Sequence, residues 1–257
     1  MTVAIIQARI GSTRLPGKVL KVVEGKTLLE HLILRLKRAK TLDKIVLATT
    51  DKPEDNETAE VVKKLGIDVF SGSENDVLDR YYQSAKKFGG DVIVRITGDC
   101  PLMDPKIVDD VVNYYLKNKN KFDYVSNVRP PTYPDGMDVE VFSFAALEKA
   151  WREARLPSER EHVTAYIANH PEIFRLGNIK YKKDVSDIRL TVDNLEDLIL
   201  VEKIFGSLNK KNKNFGFTDI LDFLDKNPEI AKINQTIGRN EGYEKSLKND
   251  KDRGRIK

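Results

Sequence analysis

The chain has 257 residues, of which 40% are hydrophobic and 33% are charged, an ordinary composition for a globular protein. No stretch approaches the roughly 20 consecutive apolar residues of a membrane-spanning helix, so we predict no membrane association, and the single cysteine excludes an internal disulfide bond. The net charge of +4 arises in residues 245–257; we therefore predict no nucleic-acid partner, with a nucleic-acid-binding basic tail as the alternative interpretation.

The first half of the chain alternates short apolar runs with helical patterns. The first run begins at Val3, which leaves no room for a signal peptide and, with the single cysteine, predicts a cytoplasmic protein. We predict strands at Val3–Ile6, Lys44–Thr49, Asp68–Phe70 and Val92–Ile96, and helices at Leu28–Lys40, Pro53–Leu65 and Val77–Phe88. Such alternation, with β-branched residues in the strands, is typical of an α/β protein with a mostly parallel sheet.

The second half is less regular. We predict strands at Phe122–Asn127, Met137–Phe142, Ile173–Tyr181 and Ile188–Val192. We predict helices at Ser143–Ala154, Ser158–Asn169, Asn194–Phe205 (ended by Gly206), Thr218–Lys226 and, more weakly patterned, Glu241–Lys248. Because no Pro/Gly-rich linker separates the halves, the sequence predicts one domain over residues 1–238, followed by a polar, basic and partly helical tail over residues 239–257.

A glycine-rich loop, QARIGSTRLPGK (residues 7–18), directly follows the first predicted strand. It differs from the phosphate loop of nucleotide triphosphatases, G-x-x-x-x-G-K-[ST], because five residues separate Gly11 from Gly17 and Val19 stands where a magnesium-binding hydroxyl is required. Pro16 also removes one backbone N–H donor from the loop. The loop is therefore not the phosphate loop of a nucleotide triphosphatase.

Three cations, Arg9, Arg14 and Lys18, accompany the small residues Gly11 and Ser12 in this loop. Small residues let backbone N–H groups approach phosphate oxygens, while arginine and lysine supply the charge that a triphosphate attracts. We predict a triphosphate-binding loop with Arg14 and Lys18 as catalytic cations, since phosphoryl transfer depends chiefly on positioning and charge neutralisation. A basic surface turn is the alternative.

Two aspartates each follow a predicted strand. Asp99 comes after Asp91–Ile96, and Asp193 comes after Ile188–Val192. Because sites in such sheets gather at the carboxyl ends of the strands, we expect the two carboxylates to lie near the cationic loop. There they would hold Mg²⁺, which prefers carboxylate and phosphate oxygens. The alternatives are a turn aspartate for Asp99 and a helix N-cap for Asp193.

Seven motifs follow one another along the chain: QARIGSTRLPGK, ATTD (Ala48–Asp51), GSENDVLDRYYQSAK (Gly72–Lys86), RITGDCPLMDP (Arg95–Pro105), YPDGMDVEVFS (Tyr133–Ser143), SEREHVTAYIANHP (Ser158–Pro171) and RLTVDNLEDL (Arg189–Leu198). Together they resemble the spore coat polysaccharide biosynthesis protein F family, a relative of acylneuraminate and 3-deoxy-manno-octulosonate cytidylyltransferases. The resemblance covers nearly the whole chain, including NEGYEKSLK at Asn240–Lys248.

This resemblance implies a Rossmann-like nucleotide-diphospho-sugar transferase fold, with helices on both faces of the sheet, and CTP as the donor. It implies that the loop of residues 9–18 takes the triphosphate, that Asp99 also acts in catalysis and that Asp99 and Asp193 bind magnesium. It places four further residues where relatives contact the base or ribose: Ala8, Thr49, Asp51 and Ser73. Dimerisation is common among relatives, so a homodimer is a further expectation.

The acceptor side is less well defined, because the central region departs from that of the sugar-acid synthetases. Asp138 and Glu140 alternate on a predicted strand and would face one side, either as an acceptor-binding pair or as a solvated strand face. Arg160, Glu161 and His162 are further candidates; His162 is either a general base or a structural histidine.

We therefore predict a CTP-dependent cytidylyltransferase that joins CMP to a sugar acid or related acceptor, releases pyrophosphate and serves surface polysaccharide or glycan biosynthesis. Two alternatives remain open: a glycosyltransferase with a nucleotide-sugar donor, and a catalytically inactive nucleotide-binding module. The second acid of the D-x-D motif usual in such glycosyltransferases is missing after Asp99, since GDCP offers one carboxylate.

Overall fold

The computed structural model describes residues 1–255 and contains a seven-stranded sheet and a small hairpin. The strands are β1 (Thr2–Gln7), β2 (Val22–Val23), β3 (Lys26–Thr27), β4 (Lys44–Thr50), β5 (Asp68–Gly72), β6 (Val92–Thr97), β7 (Tyr124–Ser126), β8 (Glu140–Ser143) and β9 (Leu176–Asn178). The sheet order is β5-β4-β1-β6-β8-β7-β9, and β2 pairs with β3. Strands β5, β4, β1 and β6 are parallel and β8 is antiparallel to β6, which confirms the predicted mostly parallel, mixed sheet.

Helices connect the strands. They are α1 (Leu28–Leu36), α2 (Asn56–Lys64), α3 (Val77–Phe88), α4 (Pro105–Asn118), α5 (Phe144–Glu153), α6 (Pro157–Glu161), α7 (Ala165–Asn169), α8 (Leu195–Leu208), α9 (Phe217–Lys226), α10 (Pro228–Ala231) and α11 (Glu241–Arg255), with 3₁₀ turns at Lys18–Leu20 and Pro53–Asp55. Across residues 1–255, no helix has both the length and the apolar character needed to cross a bilayer.

Two hydrophobic cores lie on opposite faces of the sheet, because side chains alternate along each strand. In β1, Ala4 and Ile6 belong to the core that includes residues of α1, α4, α8 and α9. Val3 and Ile5 belong to the other core, which includes residues of α3, α5 and α7. The predicted helices on both faces are thereby confirmed, and the strand ends are held rigidly between two packed layers.

The carboxyl ends of β4, β1 and β6 meet at one edge, where Gln7 is in register with Ala48 and Thr97. Immediately beyond this edge the chain passes very close to itself at Gly98. A Cβ added at Gly98 would lie 2.6 Å from the Cβ of Ala8 and 2.9 Å from the carbonyl oxygen of Gln7. Glycine is therefore required here, and the glycine brings the segment before Asp99 against the start of the cationic loop.

One predicted strand is wrong. Ile188–Val192 forms no strand; it makes a single bridge between Asp135 and Arg189. Its backbone is divided between two partners: Leu190 N–H donates to the carbonyl of Asp135 at 2.7 Å, and Val192 N–H donates to that of Asp99 at 2.8 Å. The apolar pattern reflected burial inside the molecule rather than strand pairing.

Several helix boundaries also differ from the predictions. The predicted helix Ser158–Asn169 is divided into α6 and α7 by Val163, whose φ of 53° lies outside the helical region. Helix α8 continues through Gly206 to Leu208, because its buried face outweighs the cost of one interior glycine. Helix α4 was not predicted, although Asp104 caps it through a 2.7 Å bond to Lys106 N–H and a proline opens it.

The predicted tail is an ordered part of the molecule as far as the structure describes it. Its helix, α11, is longer than predicted and packs against α6, and residues 239–249 border the cavity described below. The last two residues of the predicted 239–257 tail lie outside the described residues.

Candidate active site

The cationic loop is shaped by backbone bonds that fold it over Ile10. The carbonyl of Ile10 accepts from Ser12 N–H at 2.7 Å and from Gly17 N–H at 3.2 Å. Gly17 has a φ of 64°, a left-handed conformation that glycine adopts without strain. The buried carboxylate of Asp55 accepts from Ile10 N–H at 2.6 Å and fixes the loop to the end of β4 through Thr50. Asp55 was not singled out from the sequence.

Lys18 lies between the two aspartates. Its ammonium Nζ is 2.8 Å from Oδ2 of Asp99 and 2.7 Å from Oδ1 of Asp193. The backbone joins the same two segments, since Val192 N–H donates to the carbonyl of Asp99 at 2.8 Å. The two carboxylates therefore face each other across a single cation, as expected from the sequence, although Asp193 follows no strand.

Asp99 and Lys18 change each other's pKa. Burial alone would raise the pKa of Asp99, but the ammonium of Lys18 overcomes this effect and holds that pKa well below its usual value. Burial would likewise lower the pKa of Lys18, yet Asp99 and Asp193 raise it overall. The pairing of Asp99 with Lys18 therefore favours the charged form of both side chains.

Arg14 and Arg9 occupy different parts of the loop. The guanidinium of Arg14 is 3.0 Å from Asp193 and 2.8 Å from Glu241 of α11. Arg9 instead donates to Glu74 at 2.6 Å. The loop thus presents Arg14 and Lys18 together beside the facing carboxylates, with Arg9 farther along the same cavity.

Arg189 organises the carboxylates and was not predicted as a site residue. Its buried guanidinium donates to Asp193 at 2.8 Å, to Asp135 at 2.6 Å and to Asp197 at 3.0 Å. Asp197 also accepts from the backbone N–H of Asp193 at 2.9 Å. Asp193 therefore has a fixed orientation. The only sign of this in the sequence is that an arginine stands four residues before the aspartate, and such a spacing is not enough to predict the role of Arg189.

One large cavity of about 1490 Å³ joins the loop, the aspartates and the acceptor candidates. The predicted residues that border it are Ala8, Arg9, Gly11, Ser12, Arg14, Lys18, Asp99, Asp138, Glu140, Glu161, His162 and Asp193. The predicted residues that do not border it are Thr49, Asp51, Ser73 and Arg160. The structure thus brings together most of the residues predicted from distant motifs.

The residues predicted to contact the nucleobase or ribose lie differently from the expectation. Thr49 is buried beneath the sheet edge, and Ser73 contributes its carbonyl, which accepts a bond from the guanidinium of Arg80. Arg80 itself is buried and borders the cavity, and its Nε has no hydrogen-bond partner among the described residues. Arg80 is therefore a further candidate for contact with a bound molecule.

Glu140 is a buried structural anion on the cavity wall. It pairs with Arg95 and accepts from the hydroxyls of Thr164 at 2.7 Å and Tyr124 at 2.5 Å. Burial would raise the pKa of Glu140, but Arg95 and these donors lower it overall. Glu140 is thus saturated with partners, which leaves little capacity for an acceptor.

Asp138 and His162 have pKa values that are shifted far from the usual values of these side chains. Burial, with the nearby charges of Asp135 and Glu140, raises the pKa of Asp138 to about 7 although Arg239 pairs with it. Burial and the charge of Arg95 lower the pKa of His162 to about 4, and its Nε2 lies 3.0 Å from the hydroxyl of Ser246. Asp138 changes its protonation near neutral pH, whereas His162 stays neutral.

Arg160 binds Asp76, the N-cap of α3, with its Nε 3.0 Å from Oδ2, and donates to the carbonyl of Trp151 at 2.7 Å. These contacts join α3, α5 and α6 outside the cavity. Arg160 therefore holds helices together and does not border the cavity, whereas its neighbour Glu161 does border it.

The facing aspartates fit a divalent cation. Among residues 1–255, no three His, Cys, Asp or Glu side chains are grouped to hold a metal by themselves. Magnesium commonly binds one or two carboxylates and completes its shell with water and substrate phosphates. The ammonium of Lys18 already shows that the space between Asp99 and Asp193 accepts a cation.

A cationic loop and two facing carboxylates at the carboxyl edge of a Rossmann-like sheet define a nucleotidyltransferase. The comparisons with known proteins agree. The description "Cytidylyltransferase" belongs to the family that matches residues 3–228, and the chain belongs to this cytidylyltransferase family. The family generally uses a divalent metal. The match favours nucleotidyl transfer over the glycosyltransferase alternative.

Individual relatives support the assignment. An uncharacterised protein of Methanocaldococcus jannaschii is 46% identical over 91% of this chain and 95% of its own length. The spore coat polysaccharide biosynthesis protein SpsF of Bacillus subtilis is 33% identical over 88% of this chain and 95% of its own, which confirms the resemblance stated from the motifs. A solved cytidylyltransferase from Leptospira borgpetersenii, 39% identical, superposes with a TM-score of 0.87 over 93% of this chain and 99% of its own.

Proposed function

We propose that this protein transfers CMP from CTP to a sugar acid or related acceptor and releases pyrophosphate, for surface polysaccharide or glycan biosynthesis. The observation that carries the proposal is the ammonium of Lys18 between Asp99 and Asp193, with Arg14 beside it. This arrangement supplies cations for a triphosphate and carboxylates for its metal. The names of the relatives, a spore coat polysaccharide biosynthesis protein and several 3-deoxy-manno-octulosonate cytidylyltransferases, support the acceptor class.

The loop residues bind the triphosphate in this proposal. The small side chains of Gly11 and Ser12 leave room for the phosphates along the loop, while Arg14 and Lys18 neutralise the charge that grows on the departing pyrophosphate. Mg²⁺ held by Asp99 and Asp193 would supply further charge neutralisation and would lower the pKa of the attacking hydroxyl. Such an ion would take the place of the Lys18 ammonium between the carboxylates, where Lys18 now lies, and would leave Lys18 available for the phosphates.

The acceptor binds on the side of Asp138 and Glu161. Its hydroxyl oxygen attacks the α-phosphorus, a new O–P bond forms, and the bond from that phosphorus to the bridging oxygen of pyrophosphate breaks. We assign the hydroxyl proton to Asp138, because its pKa of about 7 suits a base at neutral pH. His162, bonded to Ser246 and with its pKa lowered to about 4, is the weaker base and serves to position α11.

The nucleobase of CTP is recognised at the end of the cavity away from Asp138 and Glu161. Cytosine presents the acceptors O2 and N3, which match the donors of the buried guanidinium of Arg80. Ala8, Thr49, Asp51 and Ser73 stay predictions for the base and ribose; Ser73 would act through Arg80, whose position its carbonyl fixes. A cytoplasmic location and a homodimer also stay predictions, and sedimentation of the purified protein tests the dimer.

Pyrophosphate release tests the function directly. The protein is incubated with CTP, ATP, GTP or UTP, Mg²⁺ and a panel of sugar acids, other sugars and polyols, and pyrophosphate is measured. We expect release that requires both CTP and an acceptor, and a loss of about 10²–10³ in turnover in Lys18→Ala. Lys26→Ala, in which an exposed lysine of the nearby hairpin is removed, is the matched control. Tight CTP binding without turnover on any acceptor would favour the inactive-module alternative.

A further inference from the structure

One wall of the cavity comes from the C-terminal segment, residues 238–249, which includes the first turns of α11. Polar contacts hold this segment. Ser246 contacts His162 at 3.0 Å and Glu161 at 2.8 Å, and the ring of Tyr243 meets the edge of His162 at a centroid distance of 5.0 Å. Within residues 241–252, Ser246 alone is buried. A helix with so little apolar burial separates from the protein at low cost.

Glu241 joins the segment to the triphosphate loop by an ion pair. Its carboxylate lies 2.8 Å from the guanidinium of Arg14, whose other terminal nitrogen lies 3.0 Å from Asp193. A carboxylate and a phosphate oxygen offer a guanidinium the same kind of charged acceptor. Glu241 therefore holds the arginine donor that the proposed reaction needs for the triphosphate.

The ion pair between Glu241 and Arg14 is also easily exchanged. The side chains are 49% and 39% exposed, respectively, and ion pairs at such positions are weak. By contrast, Asp193 is fixed by the buried guanidinium of Arg189. A ligand that needs Arg14 would displace Glu241 rather than Asp193.

We propose that Glu241 is an autoinhibitory residue that competes with the terminal phosphates of the nucleotide for Arg14 and so lowers the affinity for CTP. This inference rests on the proposed function. A nucleoside triphosphate carries the phosphates that displace Glu241, whereas a nucleoside monophosphate does not reach Arg14. After pyrophosphate leaves, the carboxylate returns to Arg14, so Glu241 weakens the binding of CTP and pyrophosphate and leaves the binding of a CMP-linked product unchanged.

The test compares Glu241→Gln with Glu244→Gln by isothermal titration calorimetry, with CTP, CMP and inorganic pyrophosphate as probes in the presence of Mg²⁺. Glu244 is the matched control, since it is an exposed glutamate on the same helix and forms no ion pair with the side chains described for residues 1–252. We expect Glu241→Gln to bind CTP and pyrophosphate roughly two- to ten-fold more tightly and CMP with unchanged affinity. Glu244→Gln should bind all three probes as the wild type does.

Three results would overturn the inference. They are unchanged CTP and pyrophosphate affinity in Glu241→Gln, an equal gain in Glu244→Gln, and weaker binding in Glu241→Gln, which would mean that Glu241 positions Arg14 for the phosphates. Thermal melting confirms that each variant is folded. The proposed function fails separately, if the wild-type protein shows no preference for CTP over ATP, GTP and UTP; the pyrophosphate titration still tests Glu241 in that case.

Discussion

Removal of the Lys18 side chain should leave the carboxylates of Asp99 and Asp193 facing each other without a cation between them. Two unit charges about 5 Å apart repel by about 3 kcal/mol at an effective dielectric constant of about 20. Arg14 and Arg189 still contact Asp193, and Asp99 is 23% exposed, so we expect Lys18→Ala to lower the free energy of unfolding by about 1–2 kcal/mol. In a chain of this size that corresponds to a fall in Tm of about 2–8 °C.

The effect of Mg²⁺ on the Tm of each variant tests this reasoning. Without nucleotide, Mg²⁺ should raise the Tm of Lys18→Ala more than that of the wild type, because Lys18 no longer competes for the space between Asp99 and Asp193. The double variant Lys18→Ala/Asp99→Asn should regain stability and lose the response to Mg²⁺, and Lys26→Ala should behave as the wild type. Differential scanning calorimetry at fixed ionic strength measures all four proteins. A Lys18→Ala protein that melts with the wild type and gains nothing from Mg²⁺ would refute the argument.

Three further predictions concern other residues. Because the ionised form of Asp138 is lost as the pH falls through about 7, kcat/KM should fall about ten-fold per pH unit below that value, and Asp138→Asn should lose this pH dependence together with most of the rate; an unchanged profile would remove Asp138 as the base. Arg160→Ala should lower the Tm, since it frees the N-cap Asp76, and leave the Kd for CTP unchanged in calorimetry; weaker CTP binding would return Arg160 to the site. Arg189→Lys should weaken the Mg²⁺ dependence of CTP binding, measured by titration of Mg²⁺ at fixed CTP, and equal Mg²⁺ dependence would contradict its role in orienting the carboxylates.

The positions of the cationic loop and of Asp99, the proposed triphosphate and metal site, were predictable because their signals are local. A strand followed by small residues and cations describes the loop of residues 7–18, and a strand followed by Gly98 and Asp99 describes the first carboxylate. Parallel strands then bring these ends to one edge by topology alone. Asp193 reached the right place for a different reason than expected, through backbone bonds to Asp135 and Asp99 rather than through a strand.

The acceptor half could not be predicted in the same way, because its chemistry depends on partners distant in sequence. Glu140 and Asp138 are two residues apart and had the same sequence interpretation. Arg95 and two hydroxyls lower the pKa of the first, whereas burial beside other anions raises that of the second. Alternation along a strand places side chains on a face, but it carries no information about which of them receives a buried cation.

The same limitation explains why the sequence did not predict that the C-terminal segment borders the cavity. By composition it is a polar, basic tail, and its charge pattern indicates solvent rather than a site. In the structure, Arg239 pairs with Asp138, and Glu241 pairs with Arg14, so this segment contacts both the proposed base and the triphosphate loop. Because both contacts are ion pairs at the border of a cavity, each substrate alters the charge that one of them faces. We therefore predict that binding at either end of the cavity changes the contacts that hold the segment in place, and hence the binding at the other end, through residues 239–241.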